Sequence, residues 1–142
     1  MPRFLVLLCV LFSLDAVACD GLALDHVWLR EPPPGSEVAA AYFDARNDTA
    51  REIIIQGVAS PAFKNAMVHR TLMIDGRAEM RPQGNIVLAP GAHFSAQPGG
   101  AHVMLFGARR SLQDGASLTL ELRCTAGPPL RVALPVLRAA PP

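Results

Sequence analysis

The sequence is poor in the residues that many binding chemistries begin with. Its 142 residues hold a single lysine, Lys64, and the formal net charge is only +1, with basic and acidic residues interspersed. Nucleic-acid binding relies on many Lys and Arg side chains neutralising phosphates, so this balance gives no case for such a partner. Long apolar runs are missing after residue 14, and no membrane span is expected in the rest of the chain. No residue pattern supplies a nucleophile with its base, or a paired-carboxylate acid/base set, so an enzyme is not expected. The length suits one domain.

What the chain does have is punctuation. Thirteen Pro and eleven Gly argue against a helical bundle and favour short strands with many turns. The chain opens Met1-Pro2-Arg3, runs apolar from Phe4 to Leu14, and reaches Ala16-Val17-Ala18-Cys19. A positive start, a short apolar core and an A-x-A site make a secretory signal peptide over residues 1–18. The mature protein is then a single domain of residues 19–142, placed in the periplasm. Cys19 directly after the cleavage site keeps lipidation open, although Ala16 stands where a lipidation box prefers Leu, which favours ordinary cleavage. A lipid would tether the same domain to a membrane.

Cys9 leaves with the leader, and Cys19 and Cys124 remain, an even number in an oxidising compartment. One disulfide is the simple expectation. Lipidation of Cys19 would exclude it, and two free thiols are the third alternative.

Strands are expected at Leu22 to Arg30, Val38 to Arg46, Glu52 to Val58, Ala66 to Ile74, Ala78 to Pro82, Ile86 to Leu88, His93 to Gln97, His102 to Phe106, Ser117 to Cys124 and Leu130 to Leu137. Asp75-Gly76 predicts a hairpin. Residues 108–116 leave room for one helical turn. The whole pattern predicts an all-β antiparallel sandwich or barrel. In 117–124, the period of two puts Leu118, Leu120, Leu122 and Cys124 on the core side.

The same periodicity places Met67, His69, Thr71 and Met73 on one face of a strand, and His102, Met104 and Phe106 on one face of another. A thioether is soft and neutral, a poor ligand for Mg, Ca or Zn, whereas imidazole suits several transition metals. A mixed His/Met site therefore selects copper, and Cu(I) in particular. A secreted protein gains from Met here, because Cys thiolates are readily lost to disulfides outside the cytosol. A blue-copper electron carrier needs a Cys thiolate with two His. Cys124 lies on a Leu face with no nearby His in sequence, so that reading fails. Any single Met or His in such a strand is ordinarily packing.

Spacing changes that assessment. His69 is followed by ten residues and Met80, and Met80 by twenty-one residues and His102-Val103-Met104. This reproduces the His-x10-Met-x21-His-x-Met pattern of the PCu(A)C periplasmic copper chaperones. Further segments resemble that family across almost all of the mature chain: Trp28 to Gly35, Ala40-Ala41-Tyr42-Phe43 with Asn47, Ser60-Pro61, Met80-Arg81-Pro82, Pro90-Gly91, and Pro98-Gly99-Gly100-Ala101-His102-Val103-Met104-Leu105.

The resemblance implies a cupredoxin-like Greek-key barrel and one Cu(I) held by His69, Met80, His102 and Met104. It implies delivery to the binuclear copper centre of a cytochrome c oxidase subunit, alongside a Sco-type thiol protein. A monomer is expected. Two departures stand out. Many members carry further Met residues where this chain has Thr71 and Ala78, which thins any Met-lined entry path. Some members carry a His/Met-rich tail with an added copper site, and the ending Ala139-Ala140-Pro141-Pro142 offers none. Met67 and Met73 are read as packing first and copper access second. His26 and His93 match no ligand and are read as surface or satisfied residues. Storage or tolerance would need the same four ligands as delivery, and a metal-free interaction module would leave His69 and Met80 apart.

Overall fold

A computed structural model describes residues 19–125 and 127–142. The leader expected at residues 1–18 lies outside the described residues. Ten strands form: β1 (Leu22–Arg30), β2 (Val38–Asn47), β3 (Ile53–Ala59), β4 (Phe63–Ile74), β5 (Arg77–Pro82), β6 (Ile86–Leu88), β7 (His93–Ala96), β8 (Ala101–Ala108), β9 (Ser117–Cys124) and β10 (Leu130–Leu137). Each expected strand is present, with ends moved by three residues at most. The strands stop where the sequence supplies Pro, Gly or Asn-Asp, because these residues cannot extend the ladder or favour turns instead.

Residues 108–116 do not form the helical turn expected of them. The backbone N–H of Asp114 donates to the Glu31 carboxylate at 3.1 Å, and that of Gly115 to the carbonyl of Val136 at 3.0 Å. Both donors are thus taken by distant partners, not by carbonyls one turn back, and Leu112 is drawn into the core.

The strands run in the order β5-β4-β8-β7-β2-β1-β10-β9-β3-β6, with β8 also paired to β2. Most pairs are antiparallel, as expected, but β1–β10 and β7–β8 are parallel. The sheet folds over so that its two halves face each other as a sandwich. Alternation decides which side chains enter. On β2, Ala39, Ala41, Phe43, Ala45 and Asn47 point inward, and on β8, Val103 and Leu105 do so with no exposed surface. Leu120 and Leu122 of β9 and Leu134 and Val136 of β10 close the core from the other half.

Asn47 is the polar member of that core and is fully satisfied. Its amide donates to the carbonyls of Arg51 and Leu88 at 2.6 and 2.9 Å, and its side-chain oxygen accepts from the backbone and hydroxyl of Thr49. It ties the β2–β3 turn to β6. Cys19 and Cys124 form a disulfide, with Cα atoms 5.4 Å apart. Of the cysteine alternatives, the structure contains the bond.

Candidate metal centre

With Val103 and Leu105 committed to the core, the pleat turns His102, Met104 and Phe106 to the opposite face of β8. β4 lies antiparallel beside it, in a register that sets His69 directly opposite His102 and Met67 directly opposite Met104. The His69 and His102 rings have centroids 6.1 Å apart. Met80 comes from the next strand, β5, where it is opposite Thr71, two residues along β4 from His69. Three of the four residues singled out by spacing therefore share one two-stranded ladder. The fourth joins from its neighbour, carried there by the Asp75-Gly76 hairpin.

Burial divides the four. His102 is 5% exposed, whereas Met80 is 65% exposed on a strand whose six residues are all exposed. His69 and Met104 are half-buried. The outer edge of the site thus faces solvent while its inner wall is closed.

The local turn prepares His102. Gly100 N–H donates to the Gln97 carbonyl at 3.0 Å, closing a four-residue turn with Pro98 and Gly99 at its centre. Gly99 has φ +84°, the left-handed value such a turn needs at its third position. The turn aims the Gly100 carbonyl at His102 Nδ1, 3.1 Å away. A carbonyl can only accept, so Nδ1 carries the proton and Nε2 presents a lone pair. This is the way a backbone carbonyl commonly orients a metal-binding imidazole. The same carbonyl accepts from Thr71 N–H at 3.3 Å, which fastens the turn to β4.

Among the described residues, two buried side-chain polar atoms have no hydrogen-bond partner: His69 Nδ1 and His102 Nε2. An unpaired buried polar atom costs about 1–3 kcal/mol. Both such costs fall on the two His residues that the register sets opposite each other. No group of three His, Cys, Asp or Glu side chains able to hold a metal occurs among the described residues. The donors on offer at this face are imidazoles and thioethers, a set suited to a soft, low-charge ion.

The other His residues are accounted for elsewhere. His26 is exposed, with Nδ1 2.9 Å from Asp44, and His93 is exposed on β7. Met73 shares the His69 face of β4 but is 70% exposed at the hairpin end. Arg81 pairs with Glu79 at 3.0 Å on the opposite face of the β4–β5 ribbon. A groove of about 1010 Å³ lined by Glu31, Pro33, Ser36, Arg110 and Arg138 lies toward Ala108, at the far end of β8 from His102.

The sequence places Met67 on the face of His69 and reads it as packing first and copper access second; the register sets it directly opposite Met104. The partner across the ladder is a long-range fact that spacing along the chain does not carry.

A similar fold occurs in solved proteins. The copper-bound PCuAC domain from PmoF2 superposes with a TM-score of 0.69 at 25% identity, over 89% of this chain and 98% of that one. The Cu(I) form of DR1885 from Deinococcus radiodurans gives 0.58 at 27% identity, over 82% and 76%. Apo-DR1885 gives 0.66 at 24% identity, over 98% and 95%. These are cupredoxin-like β-sandwiches, the fold found here. In sequence, the chain is 29% identical to "Putative lipoprotein Lxx21020" of Leifsonia xyli subsp. xyli (strain CTCB07) over 118 residues, 82% of this chain and 70% of that protein. Residues 22–136 match the family described as "Putative lipoprotein LpqE-like", and the chain belongs to this LpqE-like family.

Proposed function

We propose that this protein is a secreted Cu(I) carrier that holds one ion with His69, Met80, His102 and Met104 and hands it on by ligand exchange. The observation that carries this reading is the pair of unpaired ring nitrogens, His69 Nδ1 and His102 Nε2, on residues directly opposite in the ladder. Their desolvation cost is recovered when a metal takes the lone pairs. Copper in the related PmoF2 domain and Cu(I) in DR1885 support the choice of ion. Four neutral donors leave the ion its own charge, which suits Cu(I) better than a harder divalent cation.

Exchange follows from the burial gradient. Met80 is the exposed donor, so an incoming ligand displaces it first, while the buried His102 holds the ion until last. The residues present bind and release. The acceptor that the sequence resemblance favours is the binuclear copper centre of cytochrome c oxidase, served together with a Sco-type thiol protein. The protein acts as a monomer.

Export follows from the leader at residues 1–18 and places the domain in the periplasm. The lipoprotein label of the family supports an exported protein too. Here, however, the Cys19 sulfur that a lipid would require is already bonded to Cys124. The two fates exclude each other, and we favour the disulfide. No helix among the described residues is long and apolar enough to cross a membrane.

Titration with Cu(I) against a competing chelator tests the site. His102→Ala and Met104→Ala should each weaken binding at least tenfold, and unchanged affinity in both would overturn the reading. Mixing the loaded protein with a copper-free oxidase copper domain then tests delivery. Formation of the coloured binuclear centre supports it, and retention of all copper on this protein would point to storage.

A further inference from the structure

We propose that Met67 is a second thioether ligand, interchangeable with Met80, so that copper has an outer and an inner donor set sharing His69, His102 and Met104. This rests on the reading that those three residues bind copper.

The geometry begins with the register. His69 opposite His102 and Met67 opposite Met104 are consecutive same-face pairs of a single ladder. Directly opposite residues hold their Cβ atoms about 4.5–5.5 Å apart, and successive same-face residues on one strand lie about 6.6–6.8 Å apart, twice the rise per residue. A methionine side chain with three rotatable bonds covers such gaps. Met67 is therefore as near to the His pair along β4 as Met104 is along β8.

The ring contacts give a second, independent observation. His69 meets Phe106 edge-on, with centroids 6.5 Å apart. In the ladder, Phe106 is opposite Asn65, two pairs away from His69, and the pair between them is Met67–Met104. For the two rings to come this close, the His69 ring must lean along the ladder toward the two thioethers. That lean is away from the Thr71–Met80 pair, which lies on its other side.

The supports of the two thioethers differ as well. β4 pairs with β8 from Phe63 to Arg70, so Met67 sits on backbone held by the body of the sheet. Met80 belongs to β5, an edge strand that pairs only with β4. Met67 is half-buried and Met80 is 65% exposed. An acceptor that displaces Met80 would leave the ion with His69, His102 and Met104, and Met67 then closes the fourth position from within. Copper is thus kept from water during exchange, with no movement of the backbone.

The test measures Cu(I) affinity by competition with bicinchoninate for the wild type, Met67→Leu, Met80→Leu, the double variant and His102→Ala. Copper-edge X-ray absorption on the loaded proteins counts sulfur neighbours. Leu keeps the volume and apolar character of Met, and circular dichroism confirms that each variant is folded. Either single Met variant should lose less than tenfold and keep two sulfur neighbours, and the double variant should lose at least a hundredfold and keep one. If Met80→Leu already falls to the level of the double variant with one sulfur left, Met67 is not a ligand and the proposal fails. If Met67→Leu alone does so, the two are not interchangeable and it fails likewise. Unchanged affinity in His102→Ala would instead sink the copper site on which it rests.

Discussion

At the scale of single residues, the proposed copper binding depends on which ring nitrogen carries a proton. His102 is buried, its Nδ1 faces the Gly100 carbonyl at 3.1 Å, and its Nε2 is unpaired. The metal-free protein should therefore show His102 in the Nδ1-protonated tautomer, read from the imidazole nitrogen shifts by NMR. The Nε2-protonated form would place a buried lone pair against a carbonyl oxygen and would contradict the geometry. Asp44 is a different case, concerned with stability. The Ser95 hydroxyl donates to its carboxylate, and His26 reaches it from the other side, so its carboxyl is held below the usual carboxylate range. A folded-state value below the unfolded one means stability that is present above the unfolded value, about 3.9, and lost as pH falls through the folded one. Asp44→Asn should therefore lower Tm at pH 6, and the gap to wild type should close as pH falls below about 4. Thermal melts across pH 2.5–7 check this, and a gap constant with pH would exclude the carboxylate as its cause. The pairing of His26 with Asp44 agrees with the sequence reading of His26 as a satisfied surface residue.

At the scale of elements, the turns were legible because their chemistry is local. Asp75 and Gly76 both have positive φ, +50° and +75°, and Ile74 is opposite Arg77, so the pair makes the two-residue hairpin that Asp-Gly favours. The four spaced residues stood out by their spacing and the family resemblance it carries, while the period of two placed only His69, His102 and Met104 of them on strand faces. Met67 did not stand out, because its value comes from a register partner 37 positions away. The helical turn expected in 108–116 failed similarly, as Glu31 and Val136 claim its donors from far along the chain. The Pro98-Gly99 turn links element to site. A β-branched residue is strained at the φ of +84° found at Gly99, by about 1–2 kcal/mol. Open space lies where a Cβ would stand, so the strain acts on the backbone alone. Gly99→Val should shift the Gly100 carbonyl off His102 and weaken Cu(I) binding several-fold, with Tm lowered by only a few degrees. Competition titration and melting of one preparation check both, and loss of Tm with full affinity would show that the turn serves stability alone.

At the scale of the whole molecule, strand order and the two parallel pairs lay beyond the sequence, because they depend on which distant strands meet. β10 returns beside β1 and so joins the two halves of the sheet. The disulfide secures the same closure covalently, linking residues 105 positions apart. Cys19 is 5% exposed, and Cys124 ends a strand whose Leu118, Leu120 and Leu122 are all buried, so the bond is part of the core boundary. Closing a loop of that length removes freedom from the unfolded chain worth about 4–5 kcal/mol at most. That is a large share of the roughly 5–15 kcal/mol by which a typical domain is stable. The Cys19→Ser/Cys124→Ser double variant should therefore unfold at distinctly lower denaturant. Its Cu(I) affinity should be unchanged, since His69, Met80, His102 and Met104 sit on β4, β5 and β8, outside the strands the bond joins. Denaturation of the oxidised protein, the reduced protein and the double variant checks the first point, and chelator competition the second. The masses of the exported protein before and after reduction decide the compartment chemistry. A gain of two hydrogens on reduction identifies the disulfide, and an added lipid mass on Cys19 would mean that the cell gives up this stabilisation for a membrane anchor.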